Sequence, residues 1–72
     1  MVKNRLKEIR MKEYMMNQKE FCSNVLKMNP RTYSPIERNI VQGNMETAFK
    51  ISEALNKRIE DIWYEEKSEA SN

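Results

Sequence analysis

The sequence has no histidine, one cysteine, one glycine and two prolines in 72 residues. Without histidine, the usual general base at neutral pH is missing. A lone cysteine makes no internal disulfide, and without histidine it builds neither a thiol-activating pair nor a zinc finger. One glycine excludes a Gly-rich phosphate loop. The acids at positions 8, 13, 20 and 37 each have a Lys or Arg beside them, so they read as surface ion pairs and not as paired catalytic carboxylates. The chemistry of an enzyme is absent, and neither metal nor cofactor is expected. No apolar run reaches membrane-spanning length, and the first residues lack the apolar core of a signal peptide. Cys22 falls on an apolar face and is expected as a small buried filler, which fits a reducing cytoplasm.

What is present suits one small helical domain. Hydrophobic residues make up 39%, enough for a small core but not for a large pocket. Charged residues are 33%, and few helix breakers interrupt them, which favours helices over strands. The net charge of +2 is unevenly spread. Residues 1–40 hold nine Lys and Arg against four acids, whereas residues 41–72 hold four against seven. A basic half is the electrostatic footprint of a nucleic-acid face, although charge clusters more often mark a solvated surface.

Residues 16–37, MNQKEFCSNVLKMNPRTYSPIE, organise the chain. Asn17 and Glu20 have capping-box spacing at the start of a helix. Phe21, Cys22, Val25 and Leu26 then share one face. After Lys27-Met28, Asn29-Pro30 opens a second helix, since proline suits its first position and pushes the preceding residue into a cap conformation. Two short helices joined by a tight turn fit a helix-turn-helix, whose second helix enters the DNA major groove. Capped helices with a short turn also occur in any small bundle.

The residue identities narrow this. MNQKEF followed by NPRTYSPIERN resembles the Cro/cI-type (Xre) helix-turn-helix of phage repressors and bacterial regulators. The matching features are Met16, Asn17-Gln18, the small Cys22 and the closing pair Ile36-Glu37, and the resemblance spans about residues 4–63. It implies an all-α, compact five-helix bundle of the lambda-repressor-like type. It also implies a transcriptional repressor that binds a palindromic operator as a dimer. Carried over by position, Asn29, Pro30, Arg31 and Ser34 face the bases, and Arg31 is the one able to grip guanine in two-pronged fashion. Gln18 matches a phosphate- or base-contacting glutamine, and Asn17, Arg38 and Gln42 match backbone-contacting positions. Arg10 and Glu37 match an ion pair. Pro35 falls at a further base-facing position, where it can touch only a thymine methyl. The same fold also serves as an antitoxin or as a module controlled by a protein partner, and then Trp63, Tyr64 and the acidic half would matter more.

The remaining segments follow the same logic. A first helix is expected over residues 4–14, with Val2, Leu6 and Ile9 forming its core stripe. Met15 and Met16 are expected in the core, like most of the six methionines. Pro35 should kink the third helix or turn it 3₁₀ near Ser34, with Tyr33 and Ile36 inward and Arg31 and Ser34 outward. Asn39 stands where the family has glycine, as a left-handed helix stop. After a loop over 40–43, a fourth helix over 45–55 should bury Met45, Ala48, Phe49, Ser52 and Leu55. A fifth over 58–64 turns Ile59, Ile62 and Trp63 inward. The domain is expected over 1–64 and a disordered polar tail over 65–72. Of the neighbours Trp63 and Tyr64, one should enter the core and the other serve as a dimer anchor.

Overall fold

A computed structural model describes residues 1–66. Five helices lie between two short strands. The order is β1 (Val2–Asn4), α1 (Leu6–Ile9), α2 (Gln18–Phe21), α3 (Pro30–Glu37), α4 (Met45–Leu55), α5 (Ile59–Ile62) and β2 (Trp63–Glu65). Both α1 and α2 run on into a wider π-helical turn, over Arg10–Tyr14 and Cys22–Leu26. The core gathers Leu6, Phe21, Cys22, Leu26, Tyr33, Ile36, Ile51 and Ile62. Tyr14, Phe21 and Tyr33 meet edge to face, with ring centres 5.1 and 5.8 Å apart. That arrangement suits the ring quadrupoles.

The helix starts follow their local chemistry. Asn17 Oδ1 accepts from the Glu20 N–H at 2.8 Å, and Glu20 Oε1 accepts from the Asn17 N–H at 3.1 Å, completing the capping box. Asn29 Oδ1 accepts from Arg31 N–H, and Asn44 Oδ1 from Thr47 N–H, each at 2.8 Å. The ends are less usual. Four non-glycine residues, Met15, Lys27, Asn39 and Asn56, adopt positive φ of 53–62°. Gly43 is the one glycine, with φ of 77°, and a Cβ there would sit 3.2 Å from Ile36 Cδ1.

Several expectations are corrected. The fold is not purely helical: β1 and β2 pair antiparallel, with Lys3 opposite Tyr64. The first helix therefore starts at Leu6 and not Asn4, and Val2 lies on a strand, 43% exposed instead of in the core. The fifth helix ends at Ile62, where Trp63 turns extended into β2. Pro35 does not interrupt α3, which stays α-helical throughout. Only the Arg31 carbonyl loses a partner, and Arg31 is exposed to water. Meanwhile the Pro35 carbonyl accepts from Ile40 N–H at 2.9 Å, while Asn39 N–H donates to Ile36 at 3.0 Å, a Schellman closure. In α4 the buried stripe is Ala48, Ile51 and Leu55, while Met45 and Phe49 are 64% and 53% exposed. Met15 is exposed as well, because its left-handed backbone turns it out of the core. Of the expected tail, Glu65 closes β2 and Glu66 N–H donates to the Met1 carbonyl at 2.8 Å. Residues 67–72 lie outside the described residues.

Candidate nucleic-acid interface

The helix-turn-helix is held from beneath by one carboxylate. Glu37, at the end of α3, has a side chain only 3% exposed. Its Oε1 accepts from Arg10 Nε at 2.8 Å and from the Tyr33 hydroxyl at 2.7 Å. Its Oε2 accepts from Gln18 Nε2 at 2.6 Å and Arg10 Nη2 at 3.3 Å. Arg10 also donates to the Met16 carbonyl at 2.8 Å. One anion thus ties together the turn after α1, the start of α2 and α3 itself. Burial opposes charge on Glu37, but the hydrogen bonds from Arg10, Tyr33 and Gln18 outweigh it and hold its pKa below the usual carboxylate range. Burial and the bond to Glu37 push the Tyr33 phenol far upward. The Glu37 hydrogen bond raises Arg10, and burial raises the Cys22 thiol.

This lowered pKa sets an acid limit on stability. A depressed carboxylate stabilises the fold above its unfolded pKa of about 4.3 and loses that contribution as pH falls through the folded value. The thermal midpoint of the wild type is expected to fall steeply below about pH 4, and that acid limb is expected to shrink in Glu37→Gln. An acid limb of equal size in both proteins, measured by thermal melts from pH 7 to 2, would place its origin elsewhere.

The outer face of the same unit is basic and open. Arg31, second in α3, is exposed, and its side chain makes no hydrogen bond or ion pair among the described residues. No acid lies in the first turn of α3, whereas Glu8, Glu20, Glu46 and Glu60 sit in the first turns of α1, α2, α4 and α5. The partial positive charge of that helix end is therefore uncompensated. A groove beside it is lined by Lys27, Asn29, Thr32, Thr47 and Lys50, with Met28 and one acid, Glu46, also on its wall. A family model described as helix-turn-helix matches residues 6–62.

The chain belongs to the Cro/cI-type helix-turn-helix family. No curated protein matches it. Within this Cro/cI-type domain the expected site residues separate into two sets. Arg31 and Arg38 are exposed, Ser34 is half-buried, and Pro30 stands exposed at the head of α3. The other four have side chains committed to the fold. Asn17 and Asn29 cap α2 and α3. Gln18 joins the Glu37 cluster, keeping a second amide hydrogen free. Gln42 Nε2 donates to the Val2 carbonyl at 2.8 Å, covering the outer edge of β1. Trp63 is in the core and Tyr64 is half-buried beneath the Arg5 guanidinium, 4.3 Å from its ring centre. Lys27 and Lys50 were not anticipated, because their approach to α3 depends on how α4 packs. Among the described residues, no helix is long and apolar enough to cross a membrane, and no acid or cysteine cluster could hold a metal.

Proposed function

We propose that this domain is a sequence-specific transcriptional regulator, a repressor and not an enzyme. It lays α3 in the major groove and binds a palindromic operator as a homodimer in the cytoplasm. The head of α3 carries this reading: an arginine with no side-chain partner among the described residues, no acid in its first turn, and a seat on buried Glu37. Arg31 contacts a base, while Arg38, Lys27 and Lys50 approach phosphates. A gel shift on the DNA upstream of its own coding region tests it. Binding is expected near 10⁻⁸ M at physiological salt, weakening steeply as salt rises. No shift at micromolar protein would contradict it.

The dimer follows from the size of the reader. One recognition helix reads few base pairs, and two copies related by a twofold axis double them. Since Tyr64 is partly covered, the exposed pair Met45 and Phe49 offers the better anchor. On α4 these two lie roughly 150° around the axis from Thr47 and Lys50, which border the α3 groove, so both faces can be used at once. In sedimentation at micromolar concentration a dimer is expected, and Phe49→Asp should make it monomeric while Tyr64→Ala does not. A wild-type monomer that also binds DNA singly contradicts the dimer. Exposed apolar residues on α4 equally suit an antitoxin or partner-controlled module, and a monomer without DNA affinity would favour that reading.

A further inference from the structure

The exit of α3 is held by a second polar cluster, one that involves none of the Glu37 partners. Asn4, at the end of β1, is 8% exposed and fully satisfied. Its Nδ2 donates to the Ile36 carbonyl at 2.7 Å and to Asn39 Oδ1 at 3.2 Å. Its Oδ1 accepts from Leu6 N–H at 3.1 Å, and its own N–H donates to Asn39 Oδ1 at 3.1 Å. The Ile36 carbonyl, one of the last in α3, accepts from Asn39 N–H in the helix stop and takes the Asn4 amide as a further donor. Asn39 is the left-handed stop, with φ of 62°. Glycine would take that backbone at less cost, but glycine has no side-chain acceptor. Asparagine here does two jobs: it stops the helix and offers one oxygen to two donors of Asn4.

The geometry points to Asn4 and Asn39 as positioning residues for DNA reading, which clamp the exit of α3 to the strand pair β1–β2. This rests on α3 being the reading helix. Glu37 fixes the depth of α3 against α1 and α2, while the Asn4–Asn39 clamp fixes the other side of its exit against β1. Base contacts require the helix axis to be set within small tolerances, whereas phosphate contacts tolerate more movement. Loosening the clamp should therefore erode specificity more than general affinity.

The test compares binding to two duplexes: one recovered by the wild type from a randomised pool, and a scrambled duplex of equal composition. Wild type, Asn4→Ala, Asn39→Gly and Arg31→Ala are measured at a temperature where circular dichroism shows each folded. Asn39→Gly keeps the left-handed stop and removes only the acceptor, so it decides the matter even if Asn4→Ala does not fold. Asn39→Gly, and Asn4→Ala where folded, are expected to lose about tenfold on the selected duplex with scrambled-duplex binding unchanged. An unchanged ratio in folded Asn39→Gly overturns the clamp, provided Arg31→Ala lowers it. If Arg31→Ala leaves the ratio unchanged, or the wild type selects no sequence, the reading of α3 fails and the clamp proposal with it.

Discussion

Glu37→Ala is expected to cost about 3–5 kcal/mol and to lower the thermal midpoint by more than about 12 °C. The substitution strands three donors at once. The Arg10 side chain, 11% exposed, keeps a charge with no partner, and the Tyr33 hydroxyl, fully buried, loses its acceptor. Gln18 can turn to water, so its share is small. Against a total stability of about 4–11 kcal/mol for a chain this long, the loss is a large fraction. The pair itself adds less than this figure suggests, because most of the cost comes from the uncompensated charge left behind. A double-mutant cycle separates the two. Arg10→Met with Glu37→Ala should cost less than the sum of the single substitutions. Strict additivity would mean that Arg10 and Glu37 are near each other without being coupled.

The second large effect is on DNA. Arg31→Ala is expected to weaken binding to the selected duplex by about 1–3 kcal/mol and to relax preference at one base pair. Two features of α3 set this. Arg31 is the only cation in the first turn, and among the described residues its guanidinium is in no ion pair that would have to break first. Pro35 has no N–H to offer, so fewer polar groups share the reading. Loss of affinity that is equal on selected and scrambled duplexes would make Arg31 a phosphate contact only.

Local chemistry made the helix-turn-helix legible. Asn17, Asn29 and Asn44 cap the helices they precede, and capping depends on residues within one turn. The Arg10–Glu37 contact was legible only by resemblance, since its partners lie 27 positions apart. Tyr33 lies one helical turn before Glu37, a spacing the sequence does offer, whereas nothing local marks Gln18 as a further donor to the same carboxylate. The strand pair was hidden for a related reason. Val2–Asn4 and Trp63–Glu65 are three residues each, too short for a period of two, and they meet only once the bundle has folded. Scarce glycine suggested few breaks, yet Met15 and Lys27 take left-handed angles without the local preference of asparagine. In α4 the helical period was right, but two neighbouring stripes fit it, and packing chose the one through Ile51.

The most direct measurement maps backbone amide shifts by NMR as the selected duplex is titrated into the protein. The largest changes are expected at Asn29, at residues 31–34, at Gln18 and at Lys27, with smaller ones near Lys50 and little change at Glu60 and Asp61. Changes concentrated on β2 and α5, with the head of α3 undisturbed, would contradict the assignment of α3 as the reading helix.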